Sequence, residues 1–128
     1  MKITIKDKNS INNYIPSKKA ILIRIEDIEP FNDLKYKNKY IEEKRFTFLD
    51  IDYDMDYSIT DIDIETILSF IKKHKNDTEE IVIQCLNKEG ICPAIALSIS
   101  EIFDFNINIK KNKNFNYFIY NKFLTLKS

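Results

Sequence analysis

The chain has only two cysteines, Cys85 and Cys92, a single histidine, His74, and no excess of charge of either sign. Two thiols cannot make the disulfide framework of a small secreted domain, nor a four-cysteine zinc site, so any role they have is local. Twenty basic and twenty acidic residues leave a formal net charge of zero. Nothing in that balance draws the protein to nucleic acid or to an anionic membrane. Long hydrophobic runs are missing too: stretches such as Ala20 to Ile23 and Ala94 to Leu97 are far too short to span a bilayer. The opening Met1-Lys2-Ile3-Thr4 has no signal-peptide hydrophobic region, so the expected location is cytoplasmic. Neither a metal nor a cofactor is expected.

What is present fits one globular domain. With 128 residues, 44% of them hydrophobic and 31% charged, the chain can bury one core but not two, so a single domain over residues 1–128 is expected. Lys2-Ile3-Thr4-Ile5 alternates with period two, as a short edge strand does, and a brief helix or turn is expected around Ser10 to Ile15. The unbroken apolar start of Ala20-Ile21-Leu22-Ile23-Arg24-Ile25 predicts a central strand. Glu26 to Lys44 shows no clear periodicity and reads as a long surface connection, followed by a strand over Arg45–Asp50. Asp50, Asp52, Asp54 and Asp56 then recur at every second position.

Thr60 before Asp61 and Asp63 predicts a helix start, and Ile64, Ile67, Leu68 and Ile71 give it one apolar face. Lys72, Lys73, His74 and Lys75 complement its C-terminus, with His74 read as a surface residue. Glu80–Cys85 predicts a strand, and Pro93 suits the first turn of a helix running to about Phe103. Phe115, Phe118, Ile119 and Phe123 return to helical spacing and read as core rather than a stacking platform for bases. Strands separated by helical segments predict an α/β fold, a mainly parallel sheet with helices on both faces.

In such sheets ligands bind at the carboxyl ends of strands, where Cys85 falls, with the loop Leu86 to Cys92 leading into a helix N-terminus. A thiol there sits among backbone N–H groups and a helix dipole that lower its pKa and attract anions. Ile81-Val82-Ile83-Gln84-Cys85, followed by Gly90-Ile91-Cys92-Pro93-Ala94-Ile95-Ala96-Leu97, resembles the bacterial tyrosine-phosphatase-like family, whose loop reads roughly V-H-C-x-A-G-I-S-R-S-P-A-I-A. Similar stretches extend from Ala20 to Leu124, including Phe46 to Asp50, the helix from Ile59-Thr60-Asp61, and Tyr120-Asn121-Lys122-Phe123-Leu124.

The resemblance implies a cysteine-phosphatase-like fold, Cys85 at the nucleophile position and Asp50 as general acid, with Asp52 the alternative. It places Lys88, Gly90, Ile91 and Cys92 in the ligand-binding loop. The departures fall on the chemistry. The family histidine before the cysteine is Gln84, and the arginine that binds phosphoryl oxygens is Ile91. The hydroxyl that follows the arginine is Cys92, and the glycine has moved to Gly90. Lys88 is the one loop cation, a point charge without a bidentate fork. The expected function is therefore a catalytically weak or inactive phosphatase-like domain that binds a phosphorylated ligand or a protein partner. Two alternatives stand beside it: an active cysteine phosphatase working through Cys85, and a small effector or inhibitor from a mobile element. Cys92 is read as a packing residue of the helix start, and a reducing cytosol argues against a redox pair with Cys85, although backup cysteines are known in phosphatase-like sites. No nucleic-acid or membrane partner is expected.

Overall fold

A computed structural model describes residues 1–28 and 30–126. Four strands, β1 (Lys2–Lys6), β2 (Ala20–Glu26), β3 (Tyr40–Thr47) and β4 (Glu80–Gln84), form one sheet in the order β1-β4-β2-β3 with every pair parallel. The fold is α/β, completed by α1 (Asp61–His74), α2 (Ile91–Ile102) and α3 (Tyr117–Leu126). β2 and β4 are buried along their whole length, which is why their apolar runs are unbroken. Lys2–Lys6 takes an edge, as its alternation predicts.

The helices gather on one face of the sheet. Ile21, Ile23 and Ile25 of β2, with Ile81 and Ile83 of β4, pack against Ile64, Ile67 and Ile71 of α1, Ile95 and Ile99 of α2, and Ile119 and Phe123 of α3. The opposite face carries a smaller cluster, Leu22 and Val82 against Ile11, Leu34 and Tyr40. Its cover comes from the 3-10 turn Ile11–Asn13 and from loop residues instead of an α-helix, which corrects the expectation of helices on both faces. The connection after Glu26 is also shorter than its lack of periodicity suggests. Tyr40–Lys44 belongs to β3, and a register shift that leaves Ile41 unpaired between Tyr40 and Glu42 disrupts the period-two signal there.

α1 starts as its sequence predicts: the Thr60 hydroxyl accepts from the Asp63 amide at 3.1 Å and the Asp63 carboxylate accepts from the Thr60 amide at 3.0 Å. Its far end differs. His74 is buried, with its ring edge-on to Phe70 and Nε2 2.7 Å from Glu42 of β3, so a residue read as solvated is held by a partner remote in sequence. Hydrogen bonds from His74 and Lys73 hold the Glu42 carboxyl below its ordinary value.

At the amino end of the sheet Glu80 is fully buried. Burial alone would raise its carboxyl. Hydrogen bonds from the Ser17 amide at 2.7 Å, the Thr4 hydroxyl at 2.5 Å and the Tyr14 hydroxyl outweigh that penalty and hold it below the ordinary 4.5. A lowered folded-state value contributes stability that is present above the unfolded value and lost as pH falls through the folded one. Glu80→Gln is therefore expected to lower stability at neutral pH and to flatten its decline below about pH 4.5 relative to wild type. Urea midpoints across the acidic range measure this; parallel pH profiles for the two proteins would contradict it.

Candidate functional site

Chain geometry brings three loops together at the carboxyl ends of the strands. β4 leads into Cys85, whose amide donates to the Lys6 carbonyl at 3.1 Å and so continues the pairing with β1. The next residues turn outward, and the Asn87 side chain accepts the Glu89 amide at 2.9 Å. Gly90 then enters α2 with φ +74° and ψ −98°, a backbone conformation that side chains disfavour. A Cβ at this position would also collide with the Asp50 carboxylate, so the glycine and the acidic residue are packed against each other.

Asn116 locks this corner. Buried at the start of α3, its side-chain NH₂ donates to Asp50 Oδ1 at 2.6 Å and to the Ile51 carbonyl at 3.1 Å, while its Oδ1 accepts the Ile119 amide at 3.0 Å. Its backbone amide donates to the Gly90 carbonyl at 3.3 Å. One asparagine thereby joins the loop after β3, the start of α2 and the cap of α3. Sequence reasoning passed over it; its signal was an asparagine placed just before the last apolar helical repeat.

Cys85 and Cys92 are joined by a disulfide, with Cα atoms 6.0 Å apart, a separation typical of such bonds. This corrects the expectation of two separate thiols. Cys92 lies in the first turn of α2 with its sulfur turned inward, 3.5 Å from the Ile83 carbonyl of β4, so the loop returns it to the strand that carries Cys85. Cys85 cannot act as a nucleophile while this bond is intact.

A pocket of about 340 Å³ opens beside the pair. Cys85, Asp50 and Ile91 line it; Gly90 and Cys92 are buried outside its lining, and Lys88 is exposed and also outside it. Lys88 acts electrostatically on Asp7, whose carboxyl is held low mainly by hydrogen bonds from Ser10 and to a lesser degree by that lysine. The pocket is instead lined by Glu26, Asp27, Asp50 and Glu89, and among the described residues no lysine or arginine lines it.

Neither Arg24 nor Arg45 lines the pocket. Arg24, 1% exposed in β2, donates to Gln84 Oε1 at 2.9 Å and to the Asn32 carbonyl at 2.8 Å, and it lies 3.4 Å from both Glu26 and Glu43. Its donors are occupied by the protein. Gln84 in turn donates to the Cys85 carbonyl at 3.1 Å, so it ties the strand end to Arg24. Arg45 binds Glu43 at the edge strand.

Among the described residues no cluster of three or more histidine, cysteine, aspartate or glutamate side chains is arranged to hold a metal ion, and no helix is long and apolar enough to cross a membrane. The chain matches no protein-family model, no curated protein and no solved structure.

Proposed function

We propose that this chain is a phosphatase-like domain that has lost efficient phosphoryl transfer and works by binding a protein partner. The observation that carries the reading is the pocket beside Cys85, which among the described residues is lined by four carboxylates and by no lysine or arginine. A phosphoryl group brings negative charge into such a site, and two unit charges about 7 Å apart repel by roughly 2 kcal/mol even at an effective dielectric of about 20. Phosphoryl transfer also needs positive donors aimed at developing charge, each worth about 3–4 kcal/mol of transition-state stabilisation. Arg24 is committed elsewhere and Lys88 lies outside the lining. Among the two ligand classes suggested by the sequence, the acidic lining supports a protein over a phosphorylated group.

The thiol tests this reading. After reduction, Cys85 is expected to alkylate slowly with iodoacetamide at mildly acidic pH, and vanadate should give it no protection, as read by peptide mass spectrometry. Rapid alkylation blocked by vanadate would show an activated thiol in an anion site and would sink the proposal.

A further inference from the structure

The pocket at the strand ends combines apolar walls with an acidic rim. Ile25, Phe48, Leu49 and Leu86 contribute apolar surface, and Cys85 is part of the lining. Of the four carboxylates, Glu26 is engaged by Lys8 and Arg24, and Asp50 by Asn116. Asp27 and Glu89 stand exposed at the mouth, where Glu89 also accepts from the Asn114 side chain. The rim continues through Asp50 into a second concavity lined by Asp52 and Glu89 and, on its far side, by Lys113.

Beyond it the loop is unusual for an exposed segment. Tyr53, Met55 and Tyr57 are 59%, 44% and 76% exposed and alternate with Asp52, Asp54 and Asp56. Leu86 is also exposed at the pocket mouth, at 39%. Apolar walls beneath carboxylates suit a side chain with a long aliphatic stem and a cationic head. Exposed tyrosine faces attract lysine and arginine as well, by about 0.5–1 kcal/mol at surface sites. Phosphate-bearing partners such as nucleic acid or anionic lipid meet repulsion at Asp27, at Glu89 and at the aspartates of residues 50–57.

Resting on the binding reading above, we propose that a lysine- or arginine-bearing segment of a protein partner docks here, with one cationic side chain in the pocket and others along residues 50–57. Charge complementarity selects the occupant, and the exposed Leu86, Tyr53, Met55 and Tyr57 supply the apolar contact that an interface core needs.

The probe is a short fluorescein-labelled peptide alternating lysine and leucine, titrated with the intact protein and followed by anisotropy and by amide chemical shifts. Saturable binding is expected, with shifts at Leu86, Glu89 and Tyr53. Asp27→Asn with Glu89→Gln should weaken it about tenfold or more, ~1.4 kcal/mol or more. Asp33→Asn with Glu65→Gln removes the same formal charge from residues outside the pocket lining and the 50–57 loop, and should change binding little. Equal weakening by both pairs, shifts confined to another surface, or no binding would each overturn the inference. If the peptide fails while Cys85 still alkylates slowly without vanadate protection, the docking inference falls and the non-catalytic reading stands; a fast, vanadate-protected Cys85 defeats that reading itself.

Discussion

Arg24→Met is expected to cost about 3–5 kcal/mol of folding stability, the loss typical when one partner of a buried ion pair is removed. The size follows from what the substitution strands. Glu26 is 2% exposed and, among the described residues, would keep Lys8 alone, at 3.5 Å on the solvent side, while Gln84 and the Asn32 carbonyl would each lose a donor. Arg24→Lys keeps the charge but cannot reach several acceptors with one planar fork, so it should fall between wild type and the methionine variant. Urea denaturation with an unchanged slope measures both. A loss below about 1 kcal/mol for Arg24→Met would show that the network is not needed to hold β2 against β4.

Reducing the Cys85–Cys92 bond is expected to lower stability by about 2.5 kcal/mol, the chain-entropy value for a cross-link closing a loop of this length. The bridged cysteines are separated by 7 positions in sequence. The loss should appear as a fall in Tm of roughly 10 °C for a domain of this size. Cys85→Ala with Cys92→Ala should be insensitive to reductant. Identical melting of wild type with and without reductant would mean that no such bond restricts the unfolded chain.

The strands and helices that carry the core could be read from local pattern because their signals are local. β2 and β4 advertise burial by unbroken runs of Ile, Leu and Val, and Thr60 with Asp63 marks the start of α1. β3 was displaced because Glu42, Glu43 and Lys44 face solvent in part and the unpaired Ile41 shifts their phase. His74 looked like a surface residue because its neighbours in sequence are lysines, yet its partners Glu42 and Phe70 come from a strand and from the preceding helical turn.

The candidate site was legible in its residues and not in its surroundings. Strand, cysteine, loop and helix could be placed from sequence, and Cys85, Asp50 and Ile91 do meet at one pocket. What changes its chemistry is non-local. Glu26 and Asp27 arrive from β2 and its end, Asn116 from the start of α3 orients Asp50, and Cys92 folds back onto Cys85. No spacing rule within the loop contains those encounters. Arg24 is the clearest case, since an arginine within a strand can serve either a ligand or the sheet, and the burial of Glu26 beside it decides for the sheet.

The proposed absence of efficient phosphoryl transfer at this site is tested most directly by hydrolysis of an aryl phosphate. Wild-type protein with the disulfide reduced would be assayed beside Cys85→Ser from mildly acidic to neutral pH. The account predicts the same background rate for both; turnover in the wild type that disappears with Cys85→Ser would contradict it.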